Sequence, residues 1–192
     1  MPAAKTSAAA AAAPPARGTA DARSLLTDLM RTHGDSVYAY CARVLRNPTL
    51  AADVLQQVFE QAYRDLATLH DERQVRSWLF GIAHHRCLDA VKARARSEKR
   101  VSAEPEGLEA VADDRPLPWE RVAEKQISVA LERCVGELGI ESRTAVLLRF
   151  QEGMTYEHMA TICGEKPATL QARVTRALPV LRRCLEAKGV EL

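Results

Sequence analysis

The sequence predicts an all-α protein: two small helical domains joined by a flexible acidic linker, the C-terminal one a helix-turn-helix bundle. Three observations carry that expectation. Apolar residues make up 47% of the 192-residue chain and aromatic residues only 5%, so a core has to be built mainly from Ala and Leu, as in helical proteins. The nine Gly and nine Pro gather at the ends of apolar segments. Within those segments the apolar residues recur at the spacing of an amphipathic helix.

Residues 1–23 are low-complexity Ala and Pro (KTSAAAAAAPPARG) with no amphipathic face, which predicts a disordered tail. From Ser24 the pattern turns helical. Leu25, Leu26, Leu29 and Met30 form one stripe; after Gly34, Val37, Tyr38, Cys41, Val44 and Leu45 form another. Asn47-Pro48 punctuates the chain. Val54, Leu55, Val58, Phe59, Ala62 and Leu66 then lie at helical spacing, with Asp53, Gln56, Gln57 and Glu60 on the opposite face. After the polar connection HDERQ, a helix from about Val75 to Arg94 turns Trp78, Leu79, Ile82 and Ala83 inward and leaves Arg76, His84, His85 and Arg86 for solvent. It ends in Lys92, Arg94, Arg96, Lys99 and Arg100, a run that fits either a solvated helix end or a track for a phosphate backbone.

Residues 101–121 are acidic, carry prolines and show no periodicity, which reads as the linker. A second helical block occupies 122–187, with a short tail at 188–192. Ile127, Ala130, Leu131, Cys134, Val135 and Leu138 belong to one helix, and Ala145, Val146, Leu148 and Phe150 to the next. Residues 154–177 (MTYEHMATICGEKPATLQARVTRA) then read as two short helices about a tight turn. Thr155 is placed to cap the first, Gly164 to stop it, and Pro167 to open the second. The second carries Gln171, Arg173, Thr175 and Arg176 on its polar side, the shape that fits a DNA major groove or, equally, a helical hairpin with a solvated face. Pro179, further along, predicts a kink or break.

The net charge of +2 does not announce a nucleic-acid binder, so that case rests on local clusters. Cys41, Cys87, Cys134, Cys163 and Cys184 are dispersed and odd in number, which argues against a disulfide framework and for a reducing cytoplasm. No apolar run reaches membrane-spanning length, so a soluble cytoplasmic protein with no membrane insertion is expected. His84, His85 and Cys87 suggest a metal enzyme only weakly. Adjacent helical residues point about 100° apart, and the i,i+3 pair His84 and Cys87 supplies two ligands, not a site. Neither a Ser/His/Asp order nor paired carboxylates in an apolar setting appears, so no enzyme, no cofactor and no metal are expected.

Four segments together resemble a known family, the bacterial RNA polymerase sigma factors of the extracytoplasmic-function (ECF) group. AADVLQQVFEQAYRDL resembles the family's second helix, and RSWLFGIAHHRCLDAVKARAR its Trp-Leu-x-x-Ile-Ala helix with a basic run. ESRTAVLLRFQEGMTYEHMA resembles the Arg-x-x-x-x-Leu-x-x-x-Glu-Gly-x-x-Tyr stretch, and ATLQARVTRA the recognition helix. The resemblance implies a first domain at 24–100 that docks on core RNA polymerase through Asp53, Gln56, Gln57 and Phe59. It implies that His70, Arg73, Arg76, Phe80, His84 and His85 meet the promoter's minus-ten element. Trp78 also stands in the family motif, but its indole reads as a buried anchor of the helix. It implies that the domain at 122–187 enters the minus-thirty-five element through Lys166, Thr169, Gln171, Arg173 and Arg176. The two arginines are matched positions that suit either a guanine edge or phosphates. An anti-sigma protein is the further partner it implies.

The chain departs from the family pattern at several positions. Ala52 and Gln57 stand where acids are usual, His85 where Asn is, and His158 where a capping acid is. Ala168, Gln171 and Ala172 replace Gly, Lys and Ser in the recognition helix, changes that bear on which promoter is read. The competing reading is a stand-alone helix-turn-helix regulator, which leaves residues 24–100 without a task.

Overall fold

The computed structural model describes residues 19–66, 69, 74–98 and 119–190. Among them all regular structure is helical: α1 (Thr19–Leu45), α2 (Pro48–Asp65), α3 (Val75–Glu98), α4 (Trp119–Glu137), α5 (Ile140–Val146), α6 (Tyr156–Cys163) and α7 (Pro167–Ala187). A π-helical turn, Leu147–Gln151, extends α5. Helices α1–α3 pack on one another as the first domain, and α4–α7 form the second. Most of the stretch read as tail and most of that read as linker lie outside the described residues. Helix α1 begins inside the predicted tail, and α4 inside the predicted linker.

Helix α1 runs unbroken through Gly34, where two segments were expected. Glycine within a helix costs about 1 kcal/mol relative to Ala. Burial of Val37, Tyr40, Cys41 and Val44 on one side of it and Leu29 on the other outweighs that, at about 1.5–3 kcal/mol for each large apolar side chain. The second stripe of α1 is turned slightly from the expected one: Tyr40 is fully buried and Tyr38 faces out. Met30, Ile127, Leu131 and Phe150, all expected in apolar stripes, are also exposed. Arg46, in a left-handed conformation at φ 54°, ends α1. Asn47 then caps α2, its Oδ1 accepting from the Leu50 N–H at 2.9 Å, with Pro48 at the first helical position.

The helix-turn-helix is built as the residues predict. Thr155 Oγ1 accepts from the His158 N–H at 3.3 Å, Gly164 takes φ +67° at the end of α6, and Pro167 opens α7. Helix α7 does not break at Pro179. The proline lies on the exposed side, so the Thr175 carbonyl it cannot serve is open to water, while Leu181 and Leu185 beyond it stay anchored in the core.

Two of the five cysteines are paired, against the expectation from their dispersed spacing. Cys134 in α4 and Cys184 in α7 are disulfide-bonded, with Cα atoms 5.8 Å apart. Fifty residues separate them in sequence, and only the side-by-side packing of α4 and α7 brings them within bonding range. Cys41 and Cys87 are buried free thiols and Cys163 is a half-buried one.

One apolar cluster runs through both domains, joining Val44, Val58 and Phe80 of the first to Leu148, Met159 and Leu170 of the second. A smaller one, around Leu29, Phe59, Leu66 and Leu79, fills the far end of the first domain. Arginines fasten the junction. Arg143 donates to the carbonyls of Val44 (2.6 Å), Gly136 (2.7 Å) and Leu138 (2.8 Å), and Arg46 donates to Gly136 (3.0 Å). The C-terminal ends of α1 and α4 meet there, and two cations between them offset the partial negative charge that both ends carry. Burial, and then the Arg46 charge, lower the pKa of Arg143.

Candidate nucleic-acid and polymerase interface

Helix α7 holds Leu170, Val174 and Ala177 against the core, so its other face is presented outward. Lys166, Thr169, Gln171 and Arg176 are all exposed there, with Arg176 Nε resting on the Ala172 carbonyl at 3.1 Å. Arg173 differs. Its two terminal nitrogens donate to Glu165 Oε1 and Oε2 at 2.6 and 2.8 Å, and it also meets Glu141 at 3.1 Å. The hydrogen bond to Glu165 raises its pKa.

Helix α3 is rotated from its expected setting. His84, expected in solvent, is buried, while Trp78 and Ile82 are only half-buried. Phe80 is fully buried, its ring meeting Tyr40 edge-on at 5.4 Å. His84 Nδ1 lies 3.4 Å from the Tyr40 hydroxyl, and burial, then the neighbouring His85, lower its pKa to about 4. His85 remains exposed, with Nδ1 2.7 Å from the Gly81 carbonyl oxygen. Arg76 reaches across to the second domain, donating to the Glu152 carboxylate at 2.6 Å and to the Glu152 carbonyl, and lies over the Phe80 ring. Phe80 and His84 are therefore core side chains in this arrangement, and Arg76 is an interdomain one. His70 and Arg73 lie outside the described residues.

Helix α6 of the second domain packs on α3. Between α2, α3 and α6 lies a cleft of about 530 Å³, lined by Gln61, Trp78, His85 and Arg86 from the first domain and Thr161 and Ile162 from the second. The α2 face points elsewhere. Asp53, Gln56 and Gln57 are exposed, and Gln56 bonds Glu60 at 2.9 Å. Phe59 is buried beneath them, where it supports that face by packing with Leu66 and Leu79. Glu152 stands in the Glu-Gly motif, but nothing in the local sequence marks it as an interdomain partner.

The profile of Sigma-70 region 2 matches residues 29–97, and that of Sigma-70, region 4 matches residues 128–178. The chain is 29% identical over 164 residues to the ECF RNA polymerase sigma factor SigE of Mycolicibacterium smegmatis, covering 85% of this chain and 63% of that one. It is 24% identical over 164 residues to the ECF RNA polymerase sigma factor SigW of Bacillus subtilis, covering 82% and 87%. This chain belongs to the ECF group of RNA polymerase sigma factors. Its fold is also that of two solved structures. The RpoE sigma factor in complex with the anti-sigma factor NepR, from Bartonella quintana, superposes with a TM-score of 0.70 at 20% identity, covering 85% of this chain and 98% of that one. CnrH in complex with the cytosolic domain of CnrY gives 0.60 at 22%, covering 88% and 94%.

In this sigma factor the region 2 match lies within α1–α3 and the region 4 match within α4–α7. No helix of the described residues is long and apolar enough to cross a membrane.

Proposed function

We propose that this sigma factor binds core RNA polymerase through the exposed α2 face and carries it to specific promoters in the cytoplasm. Region 2 engages the minus-ten element and helps melt it, and region 4 places α7 in the major groove of the minus-thirty-five element. The observation that carries the reading is one chain holding both a free polar α2 face and a capped helix-turn-helix, in the order of regions 2 and 4.

Asp53, Gln56 and Gln57 supply the polymerase contacts; the amides offer donors and acceptors together. Lys166, Thr169, Gln171 and Arg176 supply those to the upstream duplex. Gln171 has the geometry to read adenine bidentately, and Arg176 guanine or phosphate. His85, with His70 and Arg73, serves the melted strand, and the α3 surface under α6 joins it once the domains part. Opening a base pair costs a few kcal/mol, which contacts made together with the polymerase supply. An anti-sigma protein that clasps both domains is the regulator this reading implies.

Co-elution of the purified chain with core polymerase on a sizing column tests this reading. A stoichiometric complex that Gln56→Ala and Gln57→Ala together weaken is the expected result; a chain that never co-elutes contradicts it.

A further inference from the structure

Arg173 stands at a position that resembles a DNA-reading one, yet its guanidinium is taken up by carboxylates of this chain. Both terminal nitrogens form parallel bonds to the Glu165 carboxylate, and Glu141 adds a third contact. Its side chain is only 16% exposed. Two carboxylates about one guanidinium leave the cluster with one net negative charge, which repels a phosphate instead of attracting it. A two-bond contact to guanine needs the same fork that Glu165 already fills.

The clamp joins three pieces of the second domain. Glu165 lies in the turn between α6 and α7, Glu141 in the first turn of α5, and Arg173 nearly two turns into α7. The start of α7 has little else to fix it by polar means. Lys166 at its cap makes no side-chain hydrogen bond, and no acid stands in its first turn. Leu170 and Val174 bury its inner side, but apolar packing is non-directional and sets tilt and rotation less sharply than a two-bond ion pair. That start is the end a recognition helix presents to base edges.

We propose that Arg173 is a positioning residue: through Glu165 and Glu141 it sets the angle at which α7 presents Gln171 and Arg176 to the duplex, and it touches no DNA itself. This rests on the reading of α7 as the upstream-element helix.

The test uses holoenzyme assembled from core polymerase and the full chain, carrying Arg173→Gln, Glu165→Gln or both. The probe is the duplex that wild-type holoenzyme enriches from a genomic fragment pool, with a panel of its single base-pair variants, at several salt concentrations. Arg173→Gln is expected to weaken binding about tenfold or more, the effect of losing a charged hydrogen-bond pair. It is expected to flatten discrimination at every base pair under α7 and to leave the salt slope unchanged. In the Glu165→Gln background it is expected to add less than about twofold, because the clamp is already lost.

Relaxation at one base pair alone would overturn the proposal in favour of a base contact, and a slope smaller by about 0.9 in favour of a phosphate contact. Weaker binding with discrimination intact and a lower melting temperature would leave Arg173 as scaffold only, which also overturns it. Failure of the wild-type holoenzyme to enrich any duplex would overturn the promoter reading itself, and this inference with it.

Discussion

Arg76 in α3 and Glu152 after the π-helical turn, 76 residues apart, form an ion pair across the two domains at 2.6 Å, with the carboxylate only 3% exposed. Gln151 Nε2 adds a second donor to that carboxylate at 2.7 Å. The pair seats region 4 on the same α3 surface that holds Phe80 and His84, so part of region 2 is covered by its own partner domain. The α2 face, in contrast, stays open.

The two halves of the pair are not equivalent. Removing Arg76 leaves a buried carboxylate short of a cation, whereas removing Glu152 leaves a guanidinium that is already 44% exposed. Arg76→Ala should therefore cost about 3 kcal/mol in urea unfolding, as for a buried charge stripped of its partner, and Glu152→Ala clearly less. Equal losses would mean that the carboxylate is not shielded.

Loosening the junction should also be visible at Cys163, half-buried on α6. Glu152→Gln keeps the shape and removes the charge. Maleimide labelling of Cys163, followed by peptide mass spectrometry, should speed up at least about tenfold, the equivalent of the lost charged bond. Labelling of Cys41, inside α1–α3, should change less. Identical rates in the variant would show that α6 does not depend on this pair for its seat.

The described residues show which parts of the fold and site could be read from sequence. Asn47, Thr155, Gly164 and Pro167 act through local backbone chemistry, and each does in the structure what its type implies. Gly34 and Pro179 suggested breaks for equally local reasons, but packing on both sides carries the helices through. The family resemblance puts His84 and Phe80 on a surface that exists only if α3 faces solvent. Their burial depends on Tyr40, 44 residues from His84, and on a helix of the other domain packing against α3. The same holds for Arg173, whose partner Glu141 lies in α5. Amphipathic spacing shows that a face is polar, not what polar group will meet it.

His84 should make stability depend on pH. Unfolded, it takes up a proton near 6.5; folded, burial delays this to about 4, with the His85 charge adding to the delay and Glu165 opposing it. The unfolded state then binds more protons between those values, so stability falls as pH drops from 6.5 towards 4, by about 3 kcal/mol in all. Urea midpoints at pH 7.5, 6 and 5 should show this loss in the wild type and a smaller one in His84→Asn. Matching profiles would mean that His84 is solvated.

The Cys134–Cys184 bond closes a 50-residue separation and ties α4 to α7. Cys184→Ser should lower stability by about 3–4 kcal/mol under non-reducing conditions, mainly by freeing the unfolded chain. Cys163→Ser should have little effect. Calorimetry with and without reductant checks this, since reductant should bring the wild type down to the variant.

The most direct measurement is run-off transcription from a genomic fragment pool with core RNA polymerase and this chain. Discrete products that need both proteins, and that fade when Gln171 and Arg176 are replaced by Ala, are expected. Core polymerase giving the same products with and without the chain would contradict its role as a sigma factor.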